Sequence, residues 1–313
     1  MEYCICFDIG GTRIKMGVLS EGKLIHHDLI SIEDNTSLKA ILKLIEGHVN
    51  SIVKSHNTGE QLLGIGISLP SLIDSDNNKV LSRYVKYTDA GEIDLNKWSM
   101  QNFGVPIFLE NDAKAALMGE VFYGAGRGYQ DIVLVTFGTG VGSAVMLNGK
   151  LLKGKDFLAG NLIGHSIIDY DGGLCNCGGS GCVESVASSW SLPEKIKTLE
   201  KHKKTPTEVD YKYLFEASKR GEKEYSEILE DSLKAWGKMI INLVLAYNPE
   251  CIVCAGGIMN EGEYILNSFR KSLDQHGWIS SANVELIPAE NTDFAALFGL
   301  HEIINQNKEK KKV

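Results

Sequence analysis

The chain opens on apolar segments separated by glycine turns. Tyr3 to Asp8, Ile14 to Leu19 and Lys23 to Ile30 read as a meander of strands around Gly10-Gly11-Thr12 and Gly22. Leu38, Ile41, Leu42, Ile45, Val49, Ile52 and Val53 then recur at helical spacing, which predicts an amphipathic helix. Leu62 to Ser68 and Val105 to Leu109 return to strand. Ala113, Ala116, Leu117 and Val121 predict a helix beginning near Asn111.

The pattern then restarts. Asp131 to Thr136 is an apolar strand, Gly138-Thr139-Gly140 a turn and Val141 to Leu147 a strand; Asn148-Gly149 signals a hairpin into Lys150-Leu151-Leu152. Phe7 to Thr12 and Thr136 to Gly140 look like versions of one hairpin, and the turns at Gly22 and Gly149 follow at nearly equal distance. This internal repeat predicts two similar α/β halves with a cleft between them, a preferred place for ligands. A long helix follows over about Lys223 to Tyr247, then strands at Cys251 to Cys254 and near Val284 to Ile287, and a helix from about Phe294 to Ile304. The expected division is residues 1–119 plus a returning C-terminal helix at about 294–313, against residues 120–293. The lysine-rich tail from Lys308 to Val313 reads as frayed.

At 313 residues and 43% hydrophobic, the chain can bury two ordinary cores. A net charge of -8 argues against nucleic acid as a partner. No signal peptide is read at the N-terminus, and no apolar run reaches the ~20 residues of a membrane span, so a cytoplasmic location is expected. Of the seven cysteines, Cys4, Cys6, Cys251 and Cys254 lie in apolar runs and read as buried free thiols. The other three fall within eight residues, which points to metal in a reducing compartment.

Five segments carry chemistry. In Asp8-Ile9-Gly10-Gly11-Thr12 the strand delivers a carboxylate to a turn whose N–H groups can face phosphate oxygens, and Asp8 could hold Mg²⁺; an ordinary glycine hairpin has the same appearance. In Glu110-Asn111-Asp112-Ala113 an amide and a carboxylate at a strand-to-helix junction could bind one sugar hydroxyl and deprotonate its neighbour; taken alone, the segment reads first as an N-cap at Asn111 or Asp112. His165, Cys175, Cys177 and Cys182, as H-x9-C-x-C-x4-C, offer four N/S ligands for a closed, structural zinc site, against buried thiols and an unrelated histidine. Gly138-Thr139-Gly140-Val141-Gly142 is a second phosphate-loop candidate. At Gly256-Gly257 missing side chains would let an adenine lie against the backbone.

Taken together and in this order, these segments resemble the ROK family, the repressors, open reading frames and sugar kinases of the actin-like ATPases. The C-x-C-G-x-x-G-C-x-E form is complete from Cys175 through Glu184. The resemblance implies two actin-like (ribonuclease H-like) α/β domains, with mixed sheets flanked by helices and an interdomain cleft, the zinc motif at 165–182 inserted in the second. It implies ATP, Mg²⁺ and structural Zn²⁺ as cofactors, and a small-molecule sugar as substrate. The general base falls on Asp112 and sugar contacts on Asn111, Glu184 and the His165 loop. It implies a homodimer or homotetramer, with no membrane and no nucleic acid partner. Family repressors carry a helix-turn-helix domain before the first phosphate motif; with Asp8 eighth in the chain, a kinase is expected. Three departures stand out, one being Ser143 and Ala144 after Gly142, where the family's second phosphate loop carries a triple glycine. Leu162, with Asn161 beside it, occupies the place of a family glutamate that contacts sugar, and Pro70-Ser71 stands for the usual Pro-Gly. The expected activity is ATP-dependent phosphorylation of a hexose, an N-acylhexosamine such as N-acetylmannosamine, or a glucoside. A catalytically silent sugar-binding regulator is the alternative, and a phosphate-ester hydrolase a third reading.

Overall fold

The computed structural model describes residues 1–32, 37–55, 59–81, 87–199, 208–291 and 293–310. The chain forms two compact units: Met1–Arg127 with Lys153–Leu158 and Asp293–Val313, and Gly128–Leu152 with Ala159–Thr292.

The first unit begins with strands β1 (Glu2–Ile9), β2 (Arg13–Ser20) and β3 (Lys23–Ser31), followed by helix α1 (Leu38–Ser55) and strand β4 (Gln61–Leu69). A small hairpin, β5 (Ile73–Asp74) and β6 (Lys79–Val80), precedes helix α2 (Leu95–Phe103), strand β7 (Ile107–Asn111) and helix α3 (Asp112–Tyr123). The sheet order is β3-β2-β1-β4-β7, antiparallel through the meander and parallel from β1 through β4 to β7. Residues Tyr3 to Phe7 are all buried, because β1 lies at the sheet centre with neighbours on both sides. The α1 stripe of Leu38, Ile41, Leu42, Ile45, Val49 and Ile52 is buried in the same core, and each such side chain contributes roughly 1.5–3 kcal/mol. Asp89 accepts from the Leu38 and Lys39 N–H groups at the start of α1.

The second unit repeats the plan. Strands β8 (Ile132–Phe137), β9 (Val141–Leu147) and β10 (Lys150–Leu151) form the meander. After the short helices α4 (Val183–Val186) and α5 (Leu192–Lys197) come α6 (Tyr211–Lys219), α7 (Lys223–Tyr247), β11 (Cys251–Ala255), α8 (Gly262–Asp274) and β12 (Glu285–Pro288). The order β10-β9-β8-β11-β12 has the same sequence of antiparallel and parallel pairings as the first sheet. The repeat legible in the glycine hairpins therefore extends to the whole sheet. Its hairpin turns match too, with Glu21 and Asn148 both at positive φ before a positive-φ glycine. Trp236 on α7 is fully buried and donates from Nε1 to the Ala187 carbonyl.

The chain ends in α9 (Ala295–Lys310), which packs on α3, β1 and β4 in the first unit. The α3–α9 crossing is close: a Cβ at Gly299 would stand 1.8 Å from the Ala115 carbonyl oxygen. Two sequence expectations need correction. The division falls after Arg127, not near residue 120, since α3 runs to Tyr123 and the Gly124 and Gly126 N–H groups both bond the Glu120 carbonyl. Lys308 to Lys310 are helical, and Lys308 pairs with Glu2; residues 311–313 lie outside the described residues. Cys4, Cys6, Cys251 and Cys254 are buried and unbridged. No helix among the described residues is long and apolar enough to cross a membrane.

Candidate active site

In the first unit, strand register sets Asp8, Ser68 and Glu110 side by side at the carboxyl ends of β1, β4 and β7. Ligands in open α/β sheets bind at such ends. Ser68 Oγ donates to Asp8 Oδ1 at 2.8 Å. Burial raises the Asp8 carboxyl above its ordinary value, with the Ser68 bond and the Lys15 charge pulling the other way. The Gly10 N–H closes the turn onto the Arg13 carbonyl at 3.0 Å, leaving Gly11 and Thr12 exposed.

One strand further, β7 ends at Asn111 and α3 begins at Asp112. The capping reading holds for Asn111, whose Oδ1 accepts from the Ala113 and Lys114 N–H groups at 3.1 and 3.2 Å. Its Nδ2 donates to the Ser71 carbonyl at 3.2 Å, so the amide ties the Pro70-Ser71 turn to the start of α3. Asp112, released from capping, is half-buried with Oδ1 accepting from its neighbour's N–H at 2.8 Å. Its carboxyl is pushed up to about 6, first by burial and then by the Asp8 charge; hydrogen bonds from Ala113 and Asn111 oppose this. The structure thus groups Asp8, Ser71, Asn111 and Asp112 in one unit.

Two neighbours were not foreseen. Ser68 acts through strand register across sixty residues of sequence, which its own sequence context does not reveal. Tyr87 is 2% exposed, and its hydroxyl has no hydrogen-bond partner among the described residues. Burial pushes it up to about 12, helped by the charges of Asp112 and then Asp8.

In the second unit, the Gly138–Gly142 turn is held from below. The Gly138 and Thr139 carbonyls accept from the Ser189 and Trp190 N–H groups, both at 3.1 Å. Glu184 fixes the next residue: Oε2 accepts from the Val141 N–H at 2.8 Å, and Oε1 from Trp190 Nε1 at 2.9 Å. Each carboxylate oxygen retains capacity for a further bond. Gly140 lies against this carboxylate. Gly256 sits at φ +98°, where an added Cβ would come within 2.2 Å of the Phe137 carbonyl, so β11 can end beside β8 only with glycine there. A Cβ at Gly257 would meet nothing within 4 Å, which leaves its face open.

The loop before the zinc motif is oriented by Ser143, whose Oγ donates to the Gly160 carbonyl at 2.8 Å and accepts from the Ile163 N–H at 3.3 Å. Asn161 is 7% exposed and its Oδ1 has no partner among the described residues. Leu162 beside it is exposed. His165, Cys175, Cys177 and Cys182 converge, with donor atoms all within 4.8 Å of one another. The Cys175 Sγ–His165 Nδ1 and Cys177 Sγ–Cys182 Sγ separations are both 3.6 Å. Tetrahedral zinc at ordinary bond lengths places S and N about 3.6 Å apart and two S atoms about 3.8 Å apart. These separations are compatible with a four-ligand metal site, the His165 atom nearest Cys175 being Nδ1.

The sequence model of the ROK family matches residues 4–307. A glucokinase of Thermotoga maritima is 28% identical over 312 residues, covering 96% of each chain. A xylose repressor of Bacillus spizizenii is 29% identical over 308 residues, 96% of this chain and 77% of the repressor. Among solved structures, a ROK family glucokinase from Streptomyces griseus in complex with glucose and AMPPNP superposes with a TM-score of 0.78 at 26% identity, over 97% of this chain and 99% of the other. These similarities span both units and every motif described above, and the chain belongs to the ROK family.

Proposed function

We propose that this chain is a cytoplasmic, ATP- and Mg²⁺-dependent sugar kinase that transfers the γ-phosphoryl group to a hydroxyl of a hexose or N-acylhexosamine. The observation that carries the reading is Asp112: a half-buried carboxylate, relieved of capping by Asn111 and poised near pH 6. Such a group is ionised at neutral pH yet still basic enough to take a proton. As the sugar oxygen bonds to the γ-phosphorus and the bond to the ADP oxygen breaks, the hydroxyl proton passes to Asp112. Phosphoryl transfer otherwise needs positioning and charge neutralisation. Asp8, steadied by Ser68, is an oxygen donor suited to Mg²⁺, directly or through water. Bound Mg²⁺ would neutralise phosphate charge. The turns at Gly10-Gly11-Thr12 and Gly138-Thr139-Gly140 would face phosphates, and the open backbone at Gly256-Gly257 would receive the adenosine.

For the sugar, Asn111, Ser71, Glu184, the His165 loop and Asn161 are the proposed contacts. The buried Asn161 Oδ1, without a partner among the described residues, supplies a neutral acceptor beside Leu162, where the resemblance to the family implies a glutamate. Zinc at His165, Cys175, Cys177 and Cys182 would be structural, all four positions being filled by protein. A homodimer or homotetramer is the proposed assembly. A second reading, a silent sugar-binding regulator, is favoured by Leu162 and by the similarity to a xylose repressor. ADP release measured on zinc-loaded protein over N-acetylmannosamine, glucose, N-acetylglucosamine, mannose, fructose and β-glucosides separates the two. The kinase reading expects sugar-dependent release with at least one of them. Sugar binding by calorimetry without release with any would favour the regulator, and release faster without sugar would favour a hydrolase.

A further inference from the structure

A cavity of about 760 Å³ opens in the second unit. Its volume lies in the range of small-molecule sites. The loop preceding Cys175 contributes Ile168, Asp169 and Leu174, α5 contributes Lys195, and α7 contributes Ile228, Asp231 and Lys238. Trp190 lines it as well.

The charges of this cavity are unevenly satisfied. Asp231 pairs with Lys234, and Glu194 pairs with Lys197. Lys195 and Lys238 both line the cavity, and neither ammonium group has a hydrogen bond or ion pair among the described residues. Lys195 is half-buried; burial lowers its pKa, while the charges of Asp231 and Asp169 oppose that. A desolvated ammonium without a direct partner is costly unless a ligand completes it. Two lysines lining one cavity suit a phosphate dianion. The carboxylates of Asp169 and Asp231 suit hydroxyl donors, and the Trp190, Ile168 and Ile228 walls suit the apolar face of a sugar ring.

Trp190 also links the cavity to the candidate active site. Its indole N–H holds Glu184, and its backbone N–H holds the Thr139 carbonyl. A ligand resting on this side chain therefore acts on the very residue that fixes both Glu184 and the second phosphate turn.

We propose that this cavity is a second ligand site, for a phosphorylated sugar, whose occupancy reaches Glu184 and the Gly138–Gly140 turn through Trp190. The binding stands on the cavity alone; its link to phosphoryl transfer rests on the kinase reading, whose product belongs to the same chemical class.

The test titrates zinc-loaded, full-length protein with glucose 6-phosphate, inorganic phosphate and glucose, read by calorimetry and tryptophan fluorescence. Glucose 6-phosphate should bind most tightly and change a fluorescence signal that Trp190→Phe abolishes. Lys195→Gln should weaken this binding by about 10- to 100-fold, the worth of one charged hydrogen bond. Lys195→Arg should restore it, and the exposed Lys238→Gln should weaken it without threatening the fold. The KM for ATP should not move in any of the lysine variants. Glucose 6-phosphate affinity within twofold of wild type in both Lys→Gln variants would overturn the site. Glucose binding as tightly as its phosphate would overturn the ligand class. Because the readout is binding, a chain that releases no ADP with any sugar can still pass this test, and an active kinase can fail it.

Discussion

Replacing Asp112 by asparagine should make the protein more stable and nearly inactive at once. The carboxyl stands at about 6 against an ordinary 3.8, because burial and the Asp8 charge disfavour its ionised form. At about 1.4 kcal/mol per pH unit, that displacement corresponds to about 3 kcal/mol of native-state cost once Asp112 is ionised. The group is only half-buried, and solvent screening reduces the realised cost to about 1–2 kcal/mol. The sign follows from linkage. A carboxyl raised above its unfolded value costs nothing below pH ~4 and its full amount above pH ~6. Asparagine keeps the shape and the Oδ1 acceptor for the Ala113 N–H while removing the charge. Thermal unfolding at pH 8 should therefore rise by about 2–6 °C, and the gain should shrink by about half at pH 5. Turnover should fall by about 10²–10⁴-fold, the usual worth of a general base, with sugar affinity by calorimetry largely kept. Wild-type turnover in the variant, or a lower melting temperature at pH 8, would refute the reasoning.

Three further outcomes are expected. In the wild type, kcat/KM should climb as pH rises through about 6 and then level off as Asp112 loses its proton; a profile flat from pH 5 to 8 would remove Asp112 from the base role. Stripping zinc, or Cys177→Ser, should unfold the 165–182 loop and abolish sugar affinity, checked by metal analysis and calorimetry; freshly purified protein with no zinc would contradict the site. Asn161→Leu should weaken sugar binding by about 10-fold or more and leave the KM for ATP alone, since only the buried acceptor is removed; equal losses for both substrates would point to a collapsed loop instead.

Much of the architecture is legible because its signals are local. The meander strands, α1 and the 25-residue α7 show through uninterrupted apolar periodicity, and the two glycine hairpins expose the repeat. The sequence reading does not reach α2, α6 and α8. In α2 only Leu95 and Ser99 are buried, so no apolar stripe exists to read; its ends are set by the Asp94 cap and a left-handed Gly104. In α6 and α8 the rows Tyr211, Leu214, Phe215 and Ile265, Leu266, Phe269, Leu273 do carry the signal. The return of Lys153–Leu158 to the first unit has no local signature, because it rests on contacts such as Lys153 with Asp76 and Lys114 Nζ with the Phe157 carbonyl. The candidate site divides in the same way. Residues with distinctive chemistry at strand ends, Asp8, Asp112 and the zinc set, stand out in the sequence. Ser68, which steadies Asp8, depends on strand register, and Tyr87, which shares its electrostatic surroundings, on burial that its own sequence context does not mark.

The most direct test of the kinase reading follows the phosphoryl group itself. Zinc-loaded protein, Mg²⁺ and γ-labelled ATP would be incubated with each sugar of the panel, and the label traced between ATP, inorganic phosphate and sugar phosphate. A sugar kinase should carry the label into a sugar phosphate for at least one sugar, with transfer lost in Asp112→Asn. Label confined to ATP, or released only as inorganic phosphate, from protein that binds the sugar by calorimetry would contradict it.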